Sequence, residues 1–439
     1  MVDQVSEETT QQQAVERPTF RILGLTGTWP AALSALQHRN YRLFWTGQAV
    51  SLIGTWMQNA AQGWLVLQLA TAEYGARQAS LYVSLISALG TLPMFLFCLF
   101  AGVISDRADR RRILVATQTG LMLLALGLGL LTATNHVHLW QVAIFTACSG
   151  LMMAFDMPTR QAFVKDMASP RDLLNAIALN STIFNLARIF GPAVAGRIIK
   201  MPGIGIPGAL YINAASFLAV IFGLVLIRTQ PVVHPPSDSS VWQRLREGFH
   251  YVAHERTIRL LMIIMAVITI FGFSHAVLIS VIAVQVLKQD SAGYGMLMGA
   301  AGIGACVGAI FLATTAGRVR KGQIILWGGL LMSVALIALG CNRNYPLALL
   351  ILACVGGGLV VYSASINSMI QEIVPDYIRG RVVSIWAFIF AGFGPLGALY
   401  MGLIAHITTP LMAVLSGGVC CLALQFFLVL RAGWFLKLK

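Results

Sequence analysis

The sequence contains few charged residues. Only 10% of its 439 residues are Asp, Glu, Lys or Arg, whereas a soluble globular chain carries about 25%. Hydrophobic residues make up 57% of the chain, and the mean hydropathy is +0.77. This balance excludes an ordinary soluble protein and predicts a chain that crosses a membrane many times.

Patterns typical of several other protein classes are missing as well. The net charge is +14, but the cations are not gathered into a patch with interleaved aromatic residues, so we expect no nucleic-acid partner. All seven cysteines lie within apolar runs, which leaves no spacing typical of a disulfide framework or a metal site. The runs also lack any serine–histidine, HExxH or paired-carboxylate arrangement, so we expect neither an enzyme nor a metal or cofactor.

Twelve apolar runs recur along the chain, and each is long enough to cross a bilayer, which needs about 20 residues. Polar and basic segments separate them. The sequence therefore predicts an all-α membrane protein with twelve transmembrane helices. The runs cover residues 41–70, 78–104, 113–134, 138–164, 173–199, 206–227, 257–286, 292–315, 323–341, 345–371, 382–405 and 410–431.

Basic residues predict the orientation of these helices. Of the 30 Lys and Arg residues, 24 fall in the tails and in the loops on the side of the tails, five fall on the other side, and one lies within a run. Cytoplasmic loops are enriched in Lys and Arg. We therefore expect a multi-pass protein of the inner cell membrane with both termini in the cytosol. The polar, acidic start of the chain is unlike a signal peptide.

The longest polar gap divides the chain into two halves of six runs. It contains PVVHPPSDSS and then a basic amphipathic stretch, a composition typical of a linker. Four residues that follow run four recur after run ten with a constant offset of 210, which favours an internal duplication. They are Gln161, Val164, Asp166 and Arg171, matched by Gln371, Val374, Asp376 and Arg381. We predict cytosolic tails at 1–38 and 432–439, six-helix bundles at 39–228 and 257–431, and a cytosolic linker at 229–256.

A charged hinge separates the second and third runs. Gly102 ends the second run, where we expect it to let a neighbouring helix come close, and Asp106 follows at the helix terminus. The plain interpretation is a topology anchor with a helix cap. The spacing Gly-x3-Asp-Arg-x2-Arg-Arg also resembles the loop between helices 2 and 3 of the major facilitator superfamily, with Asp109 where that family usually has glycine.

This resemblance implies a fold of two pseudo-symmetric six-helix bundles and a gating role for the hinge. We expect Asp106 to close the cytosolic side by docking near the start of run eleven, where a helix N-terminus lies beside Arg379 and Arg381. The gating residues implied by the motif are Gly102, Asp106, Arg107, Arg110 and Arg111.

Run five carries a second motif, Gly191-Pro192 followed by Gly196. Proline and small residues within a membrane helix are typical of a kinked packing seam. The motif also resembles the helix 5 motif of antiporters in the same superfamily, although two of its glycines stand here as Ala187 and Ala195. With GTWMQ at 54–58 and DRADRRRIL in the hinge, the chain is similar to the enterobactin-exporter and macrolide-efflux branch. That resemblance implies export in exchange for protons.

Polar residues within the runs are candidates for a substrate cavity. In run one they recur in steps of three and four, which places them on one helical face that meets protein or water rather than lipid. Hydrogen bonding between helices is the alternative interpretation. The family resemblance implies that helices 1, 4, 7 and 10 line the cavity. The candidates are Gln48, Ser51, Thr55, Gln58 and Gln62 in run one, Arg188 in run five, and Tyr362 and Asn367 in run ten.

Two residues are candidates for proton coupling. Asp156 is the one acid among 16 that lies well inside a run, and an intramembrane acid is costly. An ion pair with Arg160 one turn away is the plain alternative. Arg188 has no acid beside it in sequence, so it either pairs with Asp156 or attracts an anionic substrate. His275 lies near a helix middle, where a structural hydrogen bond is commoner than a proton-carrying role.

These observations favour a secondary transporter that exports a small amphipathic molecule, such as a drug or a siderophore, by alternating access. Its energy source is the proton gradient, its partners are the substrate, protons and the bilayer, and a monomer is expected. An uncoupled facilitator or lipid mover of the same fold is the first alternative, because only one deep acid is present. A membrane-embedded enzyme or sensor is the second alternative, and the runs contain no catalytic arrangement that would support an enzyme.

We predict that residues near 107–112 and 244–259 are cytosolic and that Gly75 and Asn344 face outwards, because the basic residues divide 24 to five. Labelling of single-cysteine variants in intact cells with an impermeant maleimide measures this. Gly75→Cys is expected to react and Asp109→Cys to stay unlabelled. Strong external labelling at position 109 contradicts the orientation.

Overall fold

The computed structural model describes residues 19–22, 25–28, 31–169, 171–227, 241–315 and 318–431. Within these ranges, the side chains of residues 19–22, 25–28, 31–32, 98–99, 103, 106–107, 241–245 and 431 lie outside the description.

Twelve long helical segments cross the described part of the chain, one for each predicted run. Successive segments run in opposite directions, so the loops alternate between two sides. We call the side with the start of the first helix the terminal side and the other the opposite side. The segments are α1 (Arg39–Tyr74), α2 (Ala76–Arg107), α3 (Arg110–Ala133), α4 (Leu139–Met167), α5 (Leu173–Lys200), α6 (Gly205–Leu226), α7 (Arg256–Val286), α8 (Ser291–Thr315), α9 (Lys321–Cys341), α10 (Tyr345–Ile373), α11 (Asp376–Ile407) and α12 (Pro410–Arg431).

The predicted all-α membrane fold is confirmed. Among the described helices, eleven are long and apolar enough to cross a membrane by length and composition. The remaining one is α1, which has 36 residues but carries the row of polar side chains noted in run one. These amides and hydroxyls lower its hydropathy, although its length exceeds what a bilayer requires.

The polar, acidic start of the chain predicts a loose cytosolic tail that ends in a surface-lying helix near residues 29–37. Among the described residues, strand β1 (Thr19–Ile22) pairs antiparallel with β2 (Leu25–Thr28). A 3-10 helix, Ala31–Gln37, follows, and its Ala35 and Leu36 are buried.

An acid at the start of α5 holds this 3-10 helix in place. Gln37 Nε2 donates to Asp172 Oδ2 over 2.8 Å, and His38 Nε2 lies 2.8 Å from the same oxygen. Burial raises the pKa of the Asp172 carboxyl, but hydrogen bonds from His38, Ser34, Ser169 and Gln37 outweigh it and lower that pKa to about 2. The N-terminal end of the first bundle is therefore attached to α5.

Two helix pairs join the first six helices to the last six. The rings of Phe95 in α2 and Phe388 in α11 stack with centroids 5.1 Å apart, and an added Cβ at Gly402 in α11 would overlap Ser84 in α2. In the second pair, Ser291 Oγ in α8 donates to the Gly196 carbonyl oxygen in α5 over 3.0 Å. The Ser84–Gly402 and Gly196–Ser291 contacts lie in the parts of the four helices that face the opposite side, so the halves are packed together there. Phe95 and Phe388 meet near the middles of their helices.

Glycines let α8 contact two helices closely. An added Cβ at Gly295 would overlap the Pro192 carbonyl oxygen of α5 in the other half, and one at Gly304 would overlap the Ala353 carbonyl oxygen of α10 in the same half. The spacing Gly295-x3-Gly299 and Gly304-x3-Gly308 in run eight predicts close helix contact between the halves. That expectation holds for Gly295, whereas Gly304 and Gly308 pack within the second half, since they face α10.

Two of the twelve segments are irregular, and both belong to the second half. The middle of α7 departs from α-helical hydrogen bonding in π and 3-10 turns between Ile268 and Val286. Phe393 interrupts α11. The linker contains a helix, Val241–His254, which packs on α11, and its Glu247 forms an ion pair with Arg381. The linker helix therefore belongs structurally to the second half.

We expect Gly304→Ala to destabilise the protein by about 1–3 kcal/mol, because the new methyl group has no space beside Ala353. Thermal unfolding in detergent measures the effect. Gly102→Ala is the matched control: an added Cβ there meets no described atom within 4 Å, so the neighbour that we expected at Gly102 is not close. Equal losses for both variants would contradict the packing argument.

Candidate functional site

A cavity of about 480 Å³ lies at the boundary of the two halves. Helices α1, α2, α3, α4 and α6 of the first half form most of its wall, and α7 and α8 of the second half complete it. Its lining combines amides and hydroxyls with methionine, valine and aromatic side chains, and it contains no Lys, Arg, Asp, Glu or His. Such a surface suits an amphipathic molecule, and the volume lies within the range of small-molecule sites.

Three of the predicted cavity residues of α1, Thr55, Gln58 and Gln62, line this cavity. Gln62 Nε2 donates to Thr146 Oγ1 in α4 over 2.5 Å. Gln58 Oε1 accepts a hydrogen bond from Asn213 Nδ2 in α6 over 2.5 Å. The same amides therefore face the cavity and form hydrogen bonds to neighbouring helices. Both interpretations of the polar face, a cavity wall and interhelical hydrogen bonding, apply at these residues.

The other predicted cavity residues do not line this cavity. Ser51 and Gln48 are buried about one and two turns closer to the terminal side than Thr55. Tyr362 is fully buried, and its hydroxyl accepts a hydrogen bond from Gln425 Nε2 of α12 over 3.0 Å. Asn367 Oδ1 accepts from Gln371 Nε2 on its own helix. The face of α10 that carries Tyr362 packs against α9 and α12, which spacing within one helix does not reveal.

Several lining residues escaped sequence reasoning. Asn59, Thr146 and Asn213 face the cavity from three helices, and Ser280 and Tyr294 face it from α7 and α8. Asn213 carried a usable signal, since it is an amide in the middle of an otherwise apolar run. The phenol of Tyr294 stacks on the indole of Trp64 in α1, with centroids 5.8 Å apart, which closes the cavity towards the opposite side.

Asp156 is completely buried in the first half, and its carboxylate has several donors. Thr117 Oγ1 and Gln118 Nε2 of α3 donate to Oδ1 over 2.9 and 2.7 Å. Arg160 Nε donates to Oδ2 over 2.8 Å, and Arg160 Nη2 contacts the same oxygen. The partner of Asp156 is therefore Arg160 and not Arg188. Asp156 is not among the residues that line the cavity.

His275 lies in the 3-10 turn of α7, Phe273–Leu278, and is buried. Its Nδ1 is 2.6 Å from the Gly272 carbonyl oxygen, so Nδ1 carries the donated proton and Nε2 is the free acceptor when the ring is neutral. The next two residues, Ala276 and Val277, line the cavity. The histidine is thus adjacent to the cavity without forming its wall.

The Gly191-Pro192 and Gly196 motif of α5 packs on α1 of the same half and on α8 of the other half. An added Cβ at Gly191 would overlap Trp56 of α1, and one at Gly196 would overlap the Ser291 carbonyl oxygen of α8, while the Pro192 carbonyl packs on Gly295. This arrangement is the packing seam that the small residues and the proline predict. Arg188 lies one turn before Gly191 on the same helix.

The hinge between α2 and α3 is built from paired cations. Arg110 Nη1 donates to both carboxylate oxygens of Asp166 over 2.9 Å. Arg111 donates to the Leu224 and Val225 carbonyl oxygens at the end of α6, each over 2.6 Å, which is a favourable place for a cation. Asp109 caps α3 by accepting from the Arg111 backbone N–H over 2.9 Å. The departure from the family pattern at position 109 is thus a helix N-cap.

The predicted docking of Asp106 cannot be read from this hinge, because the side chains of Asp106 and Arg107 lie outside the described part of the chain. Its expected partners near the start of α11 have other contacts. Arg379 pairs with Asp376, and Arg381 pairs with Glu247 of the linker helix.

An ion pair joins the halves on the opposite side. Lys200 Nζ at the end of α5 lies 2.8 Å from Asp290 Oδ2, just before α8. The hydrogen bond from Lys200 and that from the Gly293 backbone N–H lower the pKa of the Asp290 carboxyl. Both side chains are well exposed, so the pair contributes little to stability, but it marks where the halves meet.

We expect cysteines at positions 200 and 290 to be cross-linked by a short bismaleimide, because the two side chains meet across the halves. In a cysteine-free background with a protease site in the linker, cross-linked protein runs at full length after cleavage on a denaturing gel. Lys200→Cys alone and Asp290→Cys alone are the controls and should give two fragments. Two fragments from the double variant would contradict the closed opposite side.

Similarity to known proteins extends over almost the entire chain. A family model described as transmembrane secretion effector matches residues 30–434. The Staphyloferrin A transporter of Staphylococcus aureus is 24% identical over 408 residues, covering 91% of this chain and 97% of the relative. The multidrug efflux pump Tap of Mycolicibacterium fortuitum is 25% identical over 351 residues, covering 78% and 83%. The crystal structure of a D-xylose-proton symporter has the same fold, with a TM-score of 0.69, 13% identity, and coverage of 88% and 96%.

Proposed function

Because the chain belongs to the transmembrane secretion effector family of the major facilitator superfamily, we propose that it exports its substrate in exchange for protons by alternating access. It is a membrane transporter of small molecules and not an enzyme. The observation that carries the proposal is the cavity, which both halves line and which lies beside helix pairs packed together towards the opposite side.

The cavity composition supports a small amphipathic substrate. Amides such as Gln58 and Gln62 offer hydrogen bonds, and Met94, Met153 and Met298 offer a deformable apolar surface. Methionine side chains adapt to differently shaped partners, which suits an exporter of more than one compound. The substrate class proposed is therefore a drug-like or siderophore-like molecule.

Alternating access requires the halves to separate on the opposite side. The contacts that must part are the α2–α11 pair, the α5–α8 pair and the Lys200–Asp290 ion pair. The backbone contacts at Gly196 and Gly295 involve few interlocking side chains, so they can separate without rearranging a core. The irregular turns of α7 supply a second movable element beside the cavity, since π and 3-10 stretches often mark functional sites in helices.

We propose Asp156 as the first proton-coupling candidate and His275 as the second. Protonation of Asp156 would weaken its ion pair and release Arg160 on the terminal side of the first half. His275 is supported by its place beside the cavity-lining residues of α7. The rival interpretation is an uncoupled facilitator, in which Asp156 and Arg160 are a structural pair. It is favoured by the distance of Asp156 from the cavity wall.

Paired substitutions separate these roles. Asp156→Asn alone leaves Arg160 buried without its partner, so we expect a loss of about 3–5 kcal/mol in stability. The double variant Asp156→Asn/Arg160→Gln should regain most of that stability, because no unpaired charge remains. If Asp156 carries the proton, the double variant still loses uphill export while keeping downhill movement of substrate.

The measurement is transport in proteoliposomes with an imposed pH gradient, using a compound found by a growth screen of a host that expresses the chain. His275→Ala is run in parallel. If the double variant concentrates substrate and His275→Ala does not, the proton role moves to the histidine. Full uphill export by both variants would show that the assignment is wrong, and export that ignores the pH gradient in the wild type would favour the facilitator.

A further inference from the structure

Two guanidinium nitrogens of Arg188, in the middle of α5, have no partner among the described residues. These atoms, Nε and Nη2, are buried and make no hydrogen bond. The residue as a whole is only half-buried, so part of its side chain is exposed. A buried donor without an acceptor is costly, and a charged one is more costly still.

Arg188 lies where the two halves meet. An added Cβ at Gly302 of α8 would sit 3.2 Å from the Arg188 carbonyl oxygen, and Cys306, about one turn further along α8, is also close enough to influence the guanidinium. Met298, one turn before Gly302, belongs to the cavity lining. The backbone of Arg188 therefore lies level with a point about one helical turn from Met298, towards the terminal side.

Three other arginines of the first half have partners among the described residues. Arg160 is paired with Asp156, Arg110 with Asp166, and Arg111 with the carbonyl oxygens that end α6. Arg188 differs from them because no described acid reaches it. Its one possible intramembrane partner, Asp156, already accepts hydrogen bonds from two α3 side chains and from Arg160. No described side chain supplies the counter-charge, which leaves a place for an acceptor on a bound molecule.

On this basis, and resting on the proposed export function, we propose that Arg188 binds an anionic group of the transported molecule. The substrate is then an amphipathic acid. Its uncharged part occupies the cavity, whose lining contains no Lys, Arg, Asp, Glu or His, and its carboxylate reaches Arg188. A guanidinium presents parallel N–H donors that match both oxygens of a carboxylate, so Nε and Nη2 acquire acceptors on binding.

This placement also gives the anion a part in the transport cycle. Arg188 sits on the α5 side of a contact with α8 that must change when the opposite side opens. An anion on Arg188 neutralises the charge at this boundary, and its environment differs between the two arrangements of the halves. A ligand that binds two conformations unequally shifts the balance between them.

Thermal unfolding of the delipidated protein in dodecyl maltoside tests the assignment. The probes are five amphipathic carboxylic acids, salicylate, benzoate, fusidate, decanoate and indole-3-acetate, each compared with its neutral amide or methyl ester. Arg188→Gln is the test variant, and Arg188→Lys keeps the charge without the two-pronged geometry. Arg197→Gln is the matched control, because it removes an exposed cation from the same helix.

We expect at least one acid, and not its neutral analogue, to raise the melting temperature of the wild type in a saturable manner. In Arg188→Gln the apparent Kd for that acid should rise by about tenfold to a hundredfold, with a smaller rise in Arg188→Lys and none in Arg197→Gln. Without ligand, Arg188→Gln should melt at the same temperature as the wild type or higher, since it removes an uncompensated charge. If Arg188 only stabilised the fold, Arg188→Gln would instead lower the melting temperature of the ligand-free protein.

The proposal is overturned if no acid exceeds its neutral analogue, or if Arg188→Gln keeps the response of the wild type. A second arm adds phosphatidylglycerol. Stabilisation by this lipid through Arg188 without any response to the soluble acids would assign the site to a lipid headgroup and overturn the substrate role. This binding assay uses no pH gradient. A failure of proton-coupled export in vesicles can therefore be told apart from a failure of acid binding at Arg188.

Discussion

Contact between helix backbones at glycine is the interaction on which this architecture depends. On α8 the glycines face in two directions, towards α5 of the first half and towards α10 of the second. A membrane lacks the hydrophobic driving force that joins helices in water, so close packing of small residues has to hold them together. The same helix thus belongs firmly to one bundle and forms the boundary with the other. The cavity, Arg188 and the α5 motif all lie along that boundary.

The two halves share a pattern in sequence but use their polar residues differently. In the first half, the amides of α1 face the cavity while bonding α4 and α6. In the second, Tyr362 of α10 turns towards α12, and Lys321 of α9 bonds Ser368 and pairs with Glu372. The repeated sequence pattern therefore does not extend to the lining of this cavity. Its chemistry comes mainly from the first half, and the second contributes α7 and α8.

Much of the fold could be predicted from sequence, because hydropathy and run length reflect a direct requirement of the bilayer. The polar face of α1 was also predictable, since helical periodicity assigns residues to a face. What periodicity leaves open is which neighbour that face meets. For that reason the structure has Gln58 and Gln62 at the cavity, whereas Gln48 and Tyr362 are buried away from it. The partner of Asp156 was within reach, because Arg160 lies one turn away on the same helix, whereas the unpaired state of Arg188 depends on distances across several helices.

The low hydropathy of α1 has a consequence for how the protein is made. A helix with this many amides partitions poorly from the translocation channel into lipid when it emerges alone. Among the described residues, Gln62 of this polar face donates to Thr146 of α4, and Gln58 accepts from Asn213 of α6. Both partner helices are synthesised later. We therefore expect α1 to stay beside the channel until those helices arrive.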